Sequence, residues 1–309
     1  MRKRRANLAN RVSSASSPKV QISIVIPTKD RDDALGRCLS LLAPQADDSV
    51  EVIVSDDARS TRTRDMVDSR FPFARWIPGA QRGPAANRNR GASEARGAFI
   101  LFLDDDVEPA ADLVASYRSS ICGDVNVYEG RTTCRAGLRS PLEQAPVNEN
   151  GGWLWSCNMM VRRNVWESLG GFDEDFPYAH LEDVAFRERI KLLGERVLFV
   201  PGASVDHPPR RLPSARALAL RHEAYFVYQY KYLGRAPSIR GFLSHLLRYR
   251  VRTVLQYPPS SDSVVAVGAI PVEVFHVLVH WREWDRRWVA AKRSAVNLRD
   301  PWSAVKAPP

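Results

Sequence analysis

The chain has 309 residues, 44% hydrophobic and 26% charged, a balance that excludes a disordered tail or a fibre and fits one large domain with appendages or two domains. Its four cysteines, Cys38, Cys122, Cys134 and Cys157, form no CxxC pair, so neither a disulfide framework nor a zinc cluster is indicated and a reducing compartment fits best. The net charge of +10 sits at the ends: residues 1–20 carry six Lys or Arg and no acid, residues 215–309 carry fifteen basic against six acidic residues, and residues 21–214 are left at −5. With no recognition motif beside it, that distribution argues against nucleic acid. It leaves an anionic membrane surface, or simple solubilising ends, as the two readings of the basic termini.

Met1 to Arg5 is basic, but the Ser/Ala/Asn-rich stretch that follows to Lys19 has no apolar run, which predicts no secretory signal and a cytoplasmic protein. From Gln21 the chain alternates β-branched runs with helical patterns. QISIVIP (21–27), VEVIVS (50–55), 74–77 and AFILFL (98–103) read as strands; 32–42, 61–70 and 84–95 read as helices between them. This alternation predicts an α/β fold whose mostly parallel sheet is covered by helices on both faces. Further on, the pattern predicts a helix over 109–119, a strand over 125–133 and a Pro/Gly/Asn-rich loop over 134–152. A strand at 155–161, helices near 165–169 and 180–193 and a short strand at 196–200 follow.

Beyond Pro213 the strand pattern stops. The expected organisation is a basic disordered segment over 1–20, an α/β domain over 21–213 and a basic helical region over 214–309. Val264 to Val279 is the most apolar stretch of that last region, but Pro271, Glu273 and His276 interrupt it. It falls short of the roughly 20 apolar residues that span a bilayer and reads as a buried or interfacial helix pair. Tyr225, Tyr228, Tyr230, Tyr249 and neighbouring arginines suit either an anionic membrane interface or packing on the sheet or on a second copy of the chain.

In open α/β sheets ligands bind beyond the carboxyl ends of the strands. There the sequence places Thr28 and Asp30 after the first strand, Asp57 after the second, and Asp104, Asp105 and Asp106 after the fourth. Three carboxylates in a row repel one another unless a cation sits among them, and hard oxygen ligands suit Mg²⁺ or Mn²⁺. A solvated turn with an Asp cap accounts for them equally well. His207, in SVDHPP, is a neutral nitrogen ligand if the fold brings it to the triplet and a structural histidine otherwise. Glu182 and Asp183 open a helix, where carboxylates either complement the helix dipole or supply a general base. Asp57 is a suitable acceptor for a pyrimidine imide N–H, and Arg88, near a helix start, is a suitable donor to a diphosphate; a turn and an exposed structural Arg are the plainer alternatives.

Taken together these segments resemble the inverting family 2 glycosyltransferases. SIVIPTKDR (23–31) resembles the family's first strand and PTYNR turn, and VIVSDDARST (52–61) its VVDDGST segment. GPAANRNRGASEARGAFILFLDDDVEP (83–109) resembles its GxxxARNxG helix, strand and DxD motif. GGFDEDFPYAHLEDVAFRERIKLLG (170–194) resembles its GGFDE and ED segments, and VPGASVDH (200–207) its final strand and His. The resemblance covers residues 21 to about 210 and implies a GT-A, Rossmann-like fold with a C-terminal helical extension. Residues 21–108 would form the nucleotide-sugar half and 109–213 the acceptor half. It implies that Pro27, Thr28, Asp30, Asp57, Arg88, Asp104 and Asp105 lie at the nucleotide sugar, and that Asp106, Asp104 and His207 hold Mg²⁺ or Mn²⁺. Asp183 would be the catalytic base, with Glu182 beside it toward the acceptor. Trp153 and Trp155 fall on the acceptor side, where aromatic faces stack on sugars, although paired Trp also suits a core.

The chain departs from the family at Lys29 and Asp30, at Ala58 and Arg59, and at Ala185, and the first two sites bear on which nucleotide is read. It has neither the QxxRW motif nor the flanking membrane helices of processive members, which implies single transfers. The activity so implied is transfer from a UDP or dTDP sugar to a glycan, lipid-linked or small-molecule hydroxyl, in the cytoplasm or at the inner face of the membrane. A catalytically silent carbohydrate-binding module is the alternative; a sugar nucleotidyltransferase is disfavoured because no GGxGTR loop follows the first strand.

Overall fold

The computed structural model describes residues 20–290. The basic segment expected over 1–20 lies almost wholly outside them, as does the end of the helical region from residue 291.

Eight strands form one sheet in the order β3-β2-β1-β4-β8-β6-β9-β5, built from β1 (Ile22–Thr28), β2 (Val50–Asp56), β3 (Ala74–Pro78), β4 (Phe99–Leu103), β5 (Glu108–Pro109), β6 (Val127–Thr133), β8 (Asn158–Arg162) and β9 (Val197–Asp206). β7 (Glu143–Gln144) and β10 (Arg210–Arg211) make a separate antiparallel pair. The first four strands are parallel, and β1, β2 and β4 are buried almost throughout, as a sheet covered on both faces requires. Their register sets Ile22 opposite both Val50 and Phe99 and Thr28 opposite Asp56, so β1, β2 and β4 end at one edge.

Helices α1 (Asp32–Leu42), α2 (Arg62–Arg70) and α4 (Leu113–Ser120) cover one face through Leu35, Leu39, Val67, Leu113 and Tyr117. Helices α3 (Pro84–Ser93), α5 (Arg163–Leu169) and α6 (Glu182–Leu192) cover the other through Ala85, Ala92, Trp166, Phe186 and Ile190. Gly91 lets α3 approach the sheet closely, since a Cβ there would lie 2.4 Å from Val25 Cγ1. That closeness fixes Asn87 and Arg88, one turn earlier, against the strand ends.

The second half differs from the sequence expectation in three places. The helix expected from Pro109 begins at Leu113, because Glu108 and Pro109 pair antiparallel with Asp206 and Val205 of β9. The strand expected at 196–200 runs on to Asp206, held parallel to β6 along its length across a register shift at Gly130/Arg131. The apolar stretch 264–279 lies within one helix, α10 (Ser261–Val289), which continues through Pro271. Among the described residues α10 alone is long and apolar enough to cross a membrane, judged by length and composition.

The region after 214 comprises α7 (Ala215–Arg221), α8 (Glu223–Val227), a π-helical turn (Tyr228–Tyr232), α9 (Ile239–Leu255) and α10. It packs on the sheet domain through Ala224, Val227 and Tyr232 against Phe176 and Ala185. Lys231 and Tyr232 add bonds to Asp173, at 2.7 and 2.8 Å.

Candidate active site

β5 explains how the site is assembled. It follows the acidic triplet by one residue and pairs with the end of β9, so His207, the residue after β9, is brought back beside Asp106. His207 Nε2 stands 3.5 Å from Asp106 Oδ1, and ligand atoms of Asp104, Asp106 and His207 all lie within 4.8 Å of one another. The His207 ring is 1% exposed; its Nδ1 faces the Pro208 carbonyl at 3.0 Å, which assigns the proton to Nδ1. Nε2 is then a buried lone pair with no hydrogen-bond partner, turned toward the carboxylates. Two carboxylates and an imidazole oriented through its other nitrogen fit a divalent cation such as Mg²⁺ or Mn²⁺.

Arginines hold the same carboxylates. Arg210 forks onto Asp106, and Arg31 reaches Asp105 at 2.7 Å and Asp106 at 2.5 Å. Thr28 donates to Asp105 at 2.8 Å. Burial, with Asp106 and Asp104 adding to it, pushes Asp105 up to about 7 despite Arg31 and Thr28. Asp104 goes the other way: burial would raise it, but the Arg88 and Arg210 guanidiniums prevail and hold it at about 2.

Arg88, 4% exposed, links this cluster to α6. It donates to Asp104 at 2.7 Å and to Glu182 at 3.1 Å. Glu182 is therefore a buried partner of Arg88, with its second oxygen unbonded, and burial together with the neighbouring Asp183 pushes it up to about 8. Asp183, beside it and half-buried, accepts the Val184 N–H at 2.8 Å; burial raises its pKa as well. The residue before the pair, Leu181, has φ 69°, a left-handed conformation that costs a Leu energy and sets where α6 begins.

On the donor side, Asp57 N–H donates to Thr28 O at 2.9 Å, and Asp57 Oδ1 accepts from Gln81 N–H at 2.8 Å. Burial raises Asp57. Gly79 is required here, because a Cβ would lie 2.2 Å from Asp57 Oδ1. Pro27 is half-buried at the end of β1, while Asp30 is exposed with φ 53°. On the other side the Trp153 and Trp155 rings stack 5.2 Å apart at 8°. Their loop is fixed by Glu129, which accepts the N–H groups of Gly152, Trp153 and Leu154, and by Arg187 of α6, which donates to the Gly152 and Trp153 carbonyls.

Sequence reasoning did not single out Asn87, Glu129, Arg187 or Arg210. Asn87 donates to Thr28 O and Ser55 O and clamps the ends of β1 and β2. Its place beside Arg88 in the GPAANRNRG segment was a usable signal. For Glu129 and Arg210 the sequence carried none, since their partners lie 23 and 104 positions away.

A parallel α/β sheet with carboxylates gathered at the strand ends, joined to an antiparallel half that returns a histidine to them, defines a nucleotide-sugar transferase fold of the GT-A type. The chain matches the glycosyl transferase family 2 model over residues 23–127. It is 28% identical over 238 residues to an N-acetylglucosaminyl-diphospho-decaprenol L-rhamnosyltransferase of Mycobacterium tuberculosis, covering 72% of this chain and 73% of that one. It is 28% identical over 226 residues to a validoxylamine A glucosyltransferase of Streptomyces hygroscopicus subsp. limoneus, covering 58% of this chain and 50% of the relative, so it spans half of that protein's length. Among solved structures, a mannosyltransferase from Pyrobaculum calidifontis in complex with GDP-Man and Mn²⁺ superimposes with a TM-score of 0.52 at 18% identity, over 90% of this chain and 86% of that one. The last comparison bears on the fold.

Proposed function

We propose that this chain is a metal-dependent, inverting, non-processive glycosyltransferase. It moves one sugar from a UDP- or dTDP-linked donor to a hydroxyl of a glycan, lipid-linked or small-molecule acceptor, in the cytoplasm or at the inner face of the membrane. Residues 21–108 hold the nucleotide sugar and 109–213 the acceptor. The observation that carries the reading is the joining, through buried Arg88, of the Asp104/Asp106/His207 cluster to the Glu182/Asp183 pair. A cation site for a diphosphate and a candidate base then share one charged network.

Asp106, Asp104 and His207 would hold Mg²⁺ or Mn²⁺, which when bound neutralises the diphosphate leaving group. Pro27, Thr28 and Asp57 position the base of the nucleotide, Asp57 accepting its imide N–H. Asp30 and Asp105 lie toward the sugar nucleotide, and Trp153 and Trp155 offer a stacking face to the acceptor. Asp183 removes the proton from the acceptor hydroxyl as that oxygen attacks the anomeric carbon opposite the leaving diphosphate, so the configuration inverts. A raised pKa makes Asp183 a stronger base than a free carboxylate. Glu182, protonated near neutrality, does not compete for that proton.

The relatives' names extend the choice of donor and acceptor. One acts on a decaprenol-diphosphate-linked sugar, and a structural neighbour holds GDP-Man, so GDP sugars belong in any panel beside UDP and dTDP sugars. The test is thermal stabilisation of the full chain by each nucleotide sugar with Mg²⁺ or Mn²⁺, with release of nucleoside diphosphate followed in parallel, for wild type, Asp106→Ala and Asp183→Asn. Stabilisation by one donor that is lost in Asp106→Ala, and turnover that is lost in Asp183→Asn, supports the proposal. No response to any donor would favour the silent carbohydrate-binding module instead.

A further inference from the structure

The outer face of α10 is the largest feature that the reaction leaves unexplained. Val264, Gly268, Pro271, Val272, Phe275 and Val279 recur at three- and four-residue intervals and fall on one side of the helix, all of them exposed; Val264 is 72% and Phe275 61% exposed. From Ser263 to Val279 the sole charged residue is Glu273, and it is turned inward, bound by Arg250 at 2.8 Å and His222 at 2.9 Å. The solvent side is thus uncharged over more than four turns, far more than a scattering of surface apolar residues.

Two turns beyond Phe275 and Val279, on the same side, come exposed Arg282 and Arg286. α9, packed along α10, carries exposed Leu247, Val251 and Leu255 with Arg248 and Arg252 beside them. Apolar side chains followed by arginines along one helix face complement a lipid surface with anionic headgroups. A spanning role is ruled out by the other side of the same helix. Trp284 and Val277 are sealed against Phe226, Tyr230, Ala219 and Phe242, and the Glu273–Arg250–His222 cluster would be stripped of its partners in hydrocarbon.

The start of α10 is tied to the short strand that carries Arg210. Asp262, two residues before Val264, binds Ser140 and Arg211, and Arg211 follows the Arg210 that forks Asp106. We propose that the outer face of α10, with α9, docks on an anionic bilayer and lies in its surface, setting the catalytic cluster against the headgroups. The consequence that a lipid-linked acceptor meets the site there rests on the transferase reading above; the docking itself does not.

The experiment is sedimentation of the full chain with vesicles of phosphatidylcholine alone or with phosphatidylglycerol added, without donor or metal. Wild type is expected to co-sediment with the anionic vesicles, less so at high salt. Val264→Glu/Phe275→Glu/Val279→Glu is expected to lower that partitioning at least tenfold, with the far-UV spectrum and melting temperature unchanged. Both proteins keep the basic termini, so a loss reports on the helix face. Arg248→Glu/Arg252→Glu is expected to weaken both the binding and its salt dependence. Equal sedimentation of wild type and the triple variant, or no vesicle binding by wild type, overturns the proposal. So does a dimer in light scattering that the triple variant converts to monomer, which would make the face an interface between copies. Vesicle binding without donor turnover would sink the transferase reading alone, and turnover without vesicle binding this one alone.

Discussion

Replacing Arg88 with alanine takes the cation from the Asp104 carboxylate and the donor from the Glu182 carboxyl, where water hardly reaches, with side-chain exposures of 19% and 3%. Breaking a buried ion pair from one side costs about 3–5 kcal/mol. Asp104 alone accounts for a good part of this: a carboxyl held at about 2 against an ordinary 3.8 corresponds to about 2 kcal/mol at neutral pH, shared between Arg88 and Arg210. At about 2–4 °C per kcal/mol, Arg88→Ala is expected to melt on the order of 10 °C below wild type at pH 7. Asp104 is depressed in the folded state, so its stabilisation is present above the unfolded value and is lost as pH falls toward about 2. The gap between the two proteins therefore narrows in acid. Paired thermal melts at neutral pH and near pH 3 read both effects. An Arg88→Ala melt within a degree or two of wild type at pH 7, or a gap that widens in acid, would refute the bridging role. Adding Asp104→Asn to Arg88→Ala is expected to recover part of the loss, because the orphaned charge is gone.

Four further outcomes follow from the same geometry. The acid limb of kcat/KM against pH is expected above the ordinary carboxylate range, because Asp183 must lose a proton that burial helps it keep; a limb near pH 4 would contradict this. Glu182, raised in the folded state from 4.5 to about 8, contributes stability that is fully present below 4.5 and lost as pH rises to about 8, so Glu182→Gln is expected to flatten the decline in melting temperature across that window. Arg210→Ala frees the Asp106 oxygens for a cation, and Mn²⁺ alone is expected to bind several-fold more tightly by calorimetry; unchanged affinity would show that Arg210 does not compete for them. Gly91→Ala gains about 1 kcal/mol of helix propensity but sets a methyl 2.4 Å from Val25 Cγ1. Overpacking at about 1–3 kcal/mol should leave the variant less stable in urea.

Much of the site was legible because local patterning encodes it. A β-branched run followed by Asp104, Asp105 and Asp106, or by Thr28, places those residues at strand ends by periodicity alone, and parallel alternation brings such ends to one edge. Where α4 begins was not legible: a helical pattern from Pro109 lost to two ladder positions on β9, a partner nearly a hundred residues away. Pro271 likewise looked like an interruption, yet α10 runs through it, its inner side held by Val277 and Trp284 against the neighbouring helices.

By itself, then, the sequence determined the alternation of strands and helices, the acidic character of the strand ends and the change to helices after residue 213, since each depends on neighbours within a few residues. Tertiary structure decided which charges meet. Asp106 finds His207 and Arg210, and Arg88 finds Glu182, only through β5 pairing with β9 and α6 lying beside α3. Such pairings are set by the energy of burying whole surfaces, to which no single stretch of chain holds the key. The two faces of α10 divide in the same way: its apolar residues are written in the sequence, but the sheet domain and its helices decide which of them are covered and which are left to meet a partner.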